Sequence, residues 1–379
     1  MILFRQKVAI PYFLDSQRKS FRLFLETGIR RELEFISPII GDSLGSSVRQ
    51  STDRQISVSF LANDFYFKKP LQNPKEAIQQ METYSSSLVV PVHIYSKSLN
   101  VSCVLPITFC DLPLMTEHGT FIINGSPRVI VHQIVRCPGV YIKAQFDQKN
   151  RRSHLVSFLS SYGSWLRLET VPNSLEINAC IDNFRKLPAT LLLCALGFDF
   201  KCVCEVVSYL ASLLYTEKLL KPKSCEDAMI MMTALMFPHR AGSVLKAKKF
   251  LFNHFFHARR YSLSEVGRKR VNRKLRMQHN VPHLTLTPED VLAAVDYLLR
   301  VENGESQFLD DIDHLKNRRA RLAGELIQTQ FRLGLNRLER SVHNRISDET
   351  LLRQKRLRVA LASLVRTQIV GSVFKEFFG

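Results

Sequence analysis

The 379-residue chain has a single tryptophan, and its eight cysteines form no Cys-x-x-Cys pair. Cys103, Cys110, Cys137, Cys180, Cys194, Cys202, Cys204 and Cys225 mostly sit within apolar runs. That pattern excludes a zinc-ribbon site and a disulfide framework, and it implies buried free thiols in a reducing compartment. There is no glycine-rich phosphate loop and no His-Glu-x-x-His, so two common routes to catalysis have no motif here. No stretch approaches the roughly 20 apolar residues needed to span a bilayer. The longest runs, Leu187–Phe200 and Val203–Tyr215, are short and interrupted by Cys, Gly or Ser. The N-terminal Met1-Ile-Leu-Phe-Arg5 lacks the features of a secretory signal or a transit peptide. With 45% hydrophobic and 23% charged residues, the composition is that of a globular chain.

Charge is abundant and one-sided. Lys and Arg number 53 against 34 acids, for a net charge of +19. Arg240–Arg276 holds twelve basic residues and one acid, and Lys316–Arg358 holds twelve and four, so these two segments carry the whole excess. A localised excess of this kind fits contact with a polyanion better than a general solubility device. The alternative is a pair of solvated helical faces.

Hydrophobic periodicity predicts a mixed fold. Phe21, Phe24, Leu25 and Ile29 recur at helical spacing within 1–31, whereas strand-like segments dominate 56–141, with Ser87–Tyr95 rich in Val and aromatics. Gly41–Gln55 reads as a loop. Asn124-Gly125 between two apolar runs predicts a tight hairpin. Alternation in Arg128–Ile134 would place Arg128, Ile130 and His132 on one strand face, with Val129, Val131 and Gln133 on the other. Pro188 suits a first helical position. Thr287-Pro-Glu-Asp290 opens a helix running through Leu299 and stopping at Gly304, and Ser262-x-x-Glu265 resembles a capping box. Leu322–Ile346 is a long amphipathic helix, with Ile327, Phe331, Leu335, Leu338, Val342 and Ile346 on one stripe and Arg332, Arg337 and Arg340 opposite.

Asp310-Asp-Ile-Asp-His314 is the one dense carboxylate cluster. It could ligate Mg2+, but Arg318, Arg319 and Arg321 would compete for the carboxylates. The rival reading is a polar turn in which an arginine orients Asp313 toward a ligand, and an ordinary helix-entry loop is the third. Trp165, preceded by Tyr162-Gly-Ser164, is either core or a ring presented by a turn.

At Leu112-Pro-Leu-Met-Thr-Glu-His-Gly-Thr-Phe-Ile-Ile-Asn-Gly125, Arg128-Val-Ile-Val-His-Gln133 and Arg136-Cys-Pro-Gly-Val-Tyr141, the chain resembles the β subunit of multisubunit RNA polymerases. Tyr162-Gly-Ser-Trp-Leu166, Lys186-Leu-Pro-Ala-Thr190, Arg260-Tyr-Ser-Leu-Ser-Glu-Val-Gly267, Asp310–Arg321, Gln330–Arg340 and Lys375-Glu-Phe-Phe-Gly379 follow in the family's order. His314-Leu-Lys-Asn-Arg-Arg and Asp290-Val-Leu-Ala-Ala resemble the plastid and cyanobacterial branch. Departures include Cys137 where Ser is usual, Pro127 where an acid is common and Tyr162 where a basic residue is frequent.

The resemblance implies an α+β fold in two modules like the family's protrusion and lobe. The protrusion would comprise 1–145 and a return segment, 318–379, and the lobe 146–317. It implies an N-terminal section of β, continued by another polypeptide as in split plastid subunits, in a chloroplast or a cyanobacterium-like cytoplasm. The chain would form part of the cleft wall that contacts downstream DNA and the non-template strand during DNA-dependent RNA synthesis. Arg136, Ile312, Asp313 and Arg318 match a family pocket for an unpaired non-template guanine, and Trp165 matches the ring that stacks on its neighbour. Arg319 and Arg321 join them as expected nucleic-acid contacts. Arg128, Val131 and Gln133 match residues along the nascent-RNA path and antibiotic site. No catalytic residue, metal or cofactor is expected in this chain, Mg2+ being bound by another subunit. Partners would be the rest of β, β′-like and α subunits, sigma factor, DNA and nascent RNA, with no membrane. The competing function is a free-standing basic nucleic-acid-binding protein.

Overall fold

In a computed structural model the described residues are 12–40, 56–96, 101–146, 149–171, 176–198, 224–238, 242–277, 283–304, 309–347 and 365–379. The expected loop at Gly41–Gln55, the apolar run Val203–Tyr215, Cys202 and Cys204 lie outside them. The fold is α+β, with antiparallel sheets and helices in two compact units, one of residues 1–133 and 320–379 and the other of 134–319.

The units divide earlier than expected on the outgoing pass, at 133/134 and not 145/146, and at 319/320 on the return. The reason is the strand Gly139–Phe146, which pairs along its whole length with Arg152–Leu159. Eight cross-strand pairs commit it to the second unit's sheet.

The first unit is built on a five-stranded sheet in which Ser85–Ser96 is central, pairing with Ile56–Phe60, Tyr66–Phe67 and Val101–Pro113. Alternate residues Leu88, Val90, Val92 and Ile94 are buried toward the helices, as a half-covered antiparallel sheet requires. Opposite them lie helix Asp15–Leu23, its continuation through a π-turn at Phe24–Gly28 into helix Ile29–Ile36, and the long helix Ala323–Ser347. The expected stripe is buried at Ile327, Phe331, Leu335, Leu338 and Val342. Rings seal the contact: Phe331 meets Phe24 edge-on at 6.3 Å and stacks near Phe374 of the last helix, Gln368–Phe378.

The arginine face of that long helix is not a free polyanion surface. Arg332 forks onto the buried Glu32 carboxylate, with Nε donating at 2.7 Å, and Gln328 donates to the same group at 2.7 Å. Arg337 pairs with Glu376 at 3.1 Å. Such bidentate geometry is what lets a carboxylate be buried at all.

Asn124 and Gly125 turn the hairpin between Phe121–Ile123 and Ser126–Arg128, both at positive φ (49° and 76°). A Cβ on Gly125 would sit 2.7 Å from the Met81 Cα, so the position needs glycine for space as well as conformation. The expected continuous strand over Arg128–Ile134 is absent. Pairing stops at Arg128 and resumes at Gln133–Arg136, and Val129 and Val131 are exposed. Alternation alone does not hold a strand where no partner supplies hydrogen bonds.

The second unit has a five-stranded antiparallel sheet in the order Leu187–Pro188, Ile177–Ile181, Leu166–Thr170, Arg152–Leu159, Gly139–Phe146. Among the described residues its core also takes in the helices Ala189–Ala195, Cys225–Met236, Val244–Leu251, Ser264–Leu275 and Pro288–Glu302. Pro188 precedes the first of these as its cap residue, one place earlier than expected, because it still pairs at the sheet edge with Asn178. Thr287 and Asp290 form the capping box of the last helix. The other box does not form: Ser262 is held by Tyr162 in a bridge, and its helix begins at Ser264.

At the centre of this unit Arg268 is fully buried. Its Nη1 donates to both Asp290 oxygens at 2.9 and 2.7 Å, its Nε donates to the His283 carbonyl at 2.7 Å, and its Nη2 to that of Thr285. Among the described residues no helix is long and apolar enough to cross a membrane. Cys110, Cys137 and Cys180 are buried free thiols, whereas Cys225 is exposed, contrary to the general expectation of burial; it stands in the first turn of its helix, directly after the capping Ser224.

Removing one partner of a buried pair strands the other, so Asp290→Ala is expected to lower stability by about 3–5 kcal/mol. The urea midpoint followed through Trp165 fluorescence measures it. Arg268→Met with Asp290→Leu should recover most of the loss; a double variant as unstable as the single would contradict this account. In the first unit, burial and the neighbouring Asp111 push the Cys110 thiol up to about 12. The unfolded chain releases that proton near 8.5. The stabilisation is therefore complete below about 8.5 and is lost as pH rises toward 12. Thiol titration at mildly alkaline pH should label Cys225 rapidly and leave Cys110 untouched until the unit unfolds.

Candidate nucleic-acid interface

The 310–318 segment of the second unit is a loop with a fixed base and an exposed tip. At the base, Asp310 accepts from the Ile142 amide at 2.7 Å and pairs with Lys274, while its own amide donates to the Ile142 carbonyl at 2.9 Å. Burial pulls Lys274 below the usual lysine range, against the opposing pull of Asp310. The buried Asn317 closes the loop: its side chain donates to the Asp311 carbonyl at 2.6 Å, and its own carbonyl accepts from the Cys137 amide at 2.8 Å. Tyr141 Oη donates to the Cys137 carbonyl at 2.8 Å, and Arg270 reaches both Tyr141 Oη, at 2.9 Å, and the Lys316 carbonyl. Burial raises the Tyr141 phenol, and Arg270 partly offsets this.

At the tip, Asp311 accepts from the Asp313 amide at 3.0 Å, an Asx turn, and His314 caps the short turn Leu315–Asn317. Asp313 is exposed, and one of its oxygens is paired with Arg318. This is the polar turn with an arginine-oriented carboxylate. Asp310 is neutralised by Lys274 and Asp313 by Arg318, so the carboxylates do not fit a Mg2+ site. Among the described residues no group of three or more His, Cys, Asp or Glu side chains gathers around a common point.

Arg136 is exposed in the strand Gln133–Arg136, which pairs with Arg318–Arg321. The Cys137–Asn317 hydrogen bond brings Arg136 and Arg318 to adjoining positions. Ile312 is half-buried in the same loop. These four residues are therefore brought onto one loop and strand pair.

Trp165 is 48% exposed. Its amide donates to Asp182 Oδ1 at 2.6 Å and its carbonyl accepts from the Asp182 amide at 2.9 Å. Gly163 has φ +111°, and a Cβ there would lie 2.6 Å from the Arg260 carbonyl. The loop is pinned at both ends, and the ring is left outside. The register Val140↔Phe158↔Leu166 puts Trp165 at the same end of the sheet as Pro138 and Arg136, two strands away. At the usual strand spacing that is about 10 Å between the strands.

The remaining candidates behave differently. Arg319 is half-buried in the second unit and engaged with other groups. Arg321, in the first unit, is not presented as expected: it donates to Thr329 at 2.6 Å and lies 3.8 Å from Glu325, because the long helix that starts two residues later offers those acceptors. Arg128 is tied to the Phe378 carbonyl at the end of the last helix, whereas Val131 and Gln133 are exposed. The basic segment 240–276 divides likewise. Arg268, Arg270 and Lys274 turn inward, and Lys246, Lys248, Lys249, Arg260, Lys269, Arg273 and Arg276 remain exposed. Sequence reasoning missed Arg270, Lys274 and Asn317. The four-residue spacing of the two cations, one turn apart on a helix, was the available signal.

Residues 136–321 match a family model described as RNA polymerase Rpb2, domain 2. The whole chain is 63% identical over 381 residues to a DNA-directed RNA polymerase subunit beta of Ostreococcus tauri, of which it covers 35%. Over 377 residues, 98% of the chain, it is 41% identical to the corresponding subunit of Thermosynechococcus vestitus, covering 32% of that protein. A subunit beta of Nephroselmis olivacea is 37% identical, again over 98% of this chain. The chain thus spans about a third of the length of these curated relatives.

If Arg270 braces the loop, Arg270→Met should cost about 1–3 kcal/mol through the acceptors it leaves unpaired. Hydrogen exchange at the Cys137 amide should quicken while exchange in the central strand at Phe158 is unchanged. Equal acceleration at both amides would mean that the residue supports the whole unit and not the loop.

Proposed function

The chain belongs to the family of RNA polymerase β subunits, as an N-terminal section of the plastid and cyanobacterial type, and we propose that it works as part of a DNA-dependent RNA polymerase. In this reading the first unit is the protrusion and the second the lobe, and together they supply cleft wall for downstream DNA and the non-template strand. The rest of β, β′-like and α subunits and a sigma factor would complete the assembly, with Mg2+ and the chemistry of nucleotidyl transfer residing on another subunit. A plastid, or a cyanobacterium-like cytoplasm, is the matching compartment.

One observation carries the reading: the exposed carboxylate of Asp313 is oriented by Arg318 on a loop whose base is locked to the sheet. A guanine presents two parallel donors, N1–H and the exocyclic amine, on its Watson–Crick edge. An oriented carboxylate accepts both, and no other base offers that pair. Reading that edge requires the guanine to be unpaired, as in an open transcription bubble. Arg136 and Arg318 stand beside the carboxylate to take backbone phosphates. Trp165, at the same sheet end, offers its ring to the next base, worth about 1–3 kcal/mol if stacked. In the first unit the exposed Val131 and Gln133 are candidates for contact with nascent RNA, with Arg128 holding the segment to the last helix.

Asp313→Ala should therefore erase a preference for guanine at one position of an unpaired non-template strand, a loss of about 1–3 kcal/mol in discrimination. Its salt dependence should stay as in the unaltered chain. Competition binding with strands differing only at that base measures both. Were the chain a generic basic binder, Asp313→Ala would change nothing, and removal of Arg318 would weaken every strand equally.

A further inference from the structure

The turn that presents Trp165 is held by one residue of the neighbouring strand's end. Pairing between Leu166–Thr170 and Ile177–Ile181 stops at Leu166↔Ile181, and the next residue, Asp182, leaves the strand with φ +47°. Glycine, asparagine and aspartate enter that left-handed region most readily. The change of direction brings two groups of Asp182 back onto Trp165. Its Oδ1 accepts from the Trp165 amide at 2.6 Å, and its amide donates to the Trp165 carbonyl at 2.9 Å. Asp182 is anchored in turn. Its carbonyl accepts from Arg167 Nη2 at 3.0 Å and from the Cys180 thiol at 3.5 Å, and the Phe184 amide closes a turn on the Ile181 carbonyl at 2.9 Å.

The other side of the turn is fixed separately. Tyr162 Oη donates to the Ala258 carbonyl at 2.9 Å, the Ser161 amide to the Ser262 carbonyl at 2.8 Å, and Ser160 Oγ to the Gly163 carbonyl at 2.9 Å. Those bonds stop short of Trp165. Its own amide and carbonyl are both met by Asp182, and the indole is left exposed. A carboxylate has the wrong sign for contact with phosphates, so its place beside the ring is that of a support.

We propose that Asp182 is a positioning residue for Trp165: by capturing both main-chain groups it sets the direction of the indole before any strand arrives. The proposal rests on the reading of Trp165 as a stacking platform. A ring already held in place loses less freedom when a base stacks on it, so the same contact gives tighter binding.

Trp165 is the sole tryptophan, so fluorescence reports that ring alone. Two substitutions separate the side chain from the backbone. Asp182→Gly keeps the left-handed conformation and removes the acceptor, whereas Asp182→Asn keeps both. In the full chain without ligand, Asp182→Gly should lower the fluorescence anisotropy of Trp165 and increase its quenching by acrylamide. Asp182→Asn should leave both unchanged. Binding of a short oligodeoxythymidylate should fall roughly five- to hundredfold in Trp165→Ala. In Asp182→Gly it should fall roughly two- to tenfold, the factor for immobilising one side chain, and in Asp182→Asn it should not fall. The W165A/D182G double variant should bind as Trp165→Ala does. If the double variant loses a further factor equal to that of Asp182→Gly alone, Asp182 acts without the ring and the proposal is overturned. Asp182→Asn behaving like Asp182→Gly overturns it too, since the acceptor would then not be what matters. If Trp165→Ala leaves binding unchanged while Asp182→Gly still loosens the ring, the stacking platform fails and the hold of Asp182 on the turn stands.

Discussion

The second unit depends on a buried ion pair. Arg268 and Asp290 have no exposure to solvent: Nη1 donates to both carboxylate oxygens, and the other two guanidinium nitrogens donate to the backbone carbonyls of His283 and Thr285. Asp290 has a second task, accepting from the Thr287 amide as half of a capping box. One carboxylate therefore starts the Pro288–Glu302 helix and anchors the Ser264–Leu275 helix against it. Desolvating two charges is costly, and every remaining donor and acceptor has to be matched for the arrangement to be stable.

Everything the candidate site needs follows from the placement of that second helix. With Arg268 facing inward, Arg270 and Lys274 are turned toward the outer edge of the sheet. There they hold the Lys316 carbonyl and the Asp310 carboxylate. The same helix thus spends three of its cations on architecture and leaves Lys269, Arg273 and Arg276 exposed. A basic segment that reads as one uniform surface is divided by the geometry of a helix into a structural face and an electrostatic one.

The first unit solves a similar problem at Glu32, where an arginine fork and a glutamine amide bind the N-terminal helices to the return helix across about 300 residues of sequence. Closing so long a loop costs entropy that a packed stripe of Phe and Leu side chains has to outweigh. The buried charge network adds direction to that contact, since only one rotation of the long helix brings both Gln328 and Arg332 to the same carboxylate.

Much of this was legible without coordinates. The Asn124-Gly125 turn, the Thr287 cap, the 323–347 helix and the strand-rich stretch 56–141 follow from local sterics and hydrophobic composition, which neighbouring residues settle among themselves. The ordered motifs identified the family, and a polar turn with an arginine partner was one of three readings open for the Asp310–His314 cluster. What the residues alone could not decide was partnership at a distance. Nothing local separates Arg268, sealed in the core, from Lys269, open to water, or tells that Arg321 serves the next helix while Arg318 orients Asp313. The strand expected over Arg128–Ile134 failed for the same reason: alternation specifies faces, but only a neighbouring strand supplies hydrogen bonds. Local sequence determined the Asn124-Gly125 turn, the Thr287 cap and the long return helix. The tertiary structure decided which charges are consumed in holding the site together and which are left for a ligand, because electrostatic pairing is settled by distances between segments that are remote in the chain.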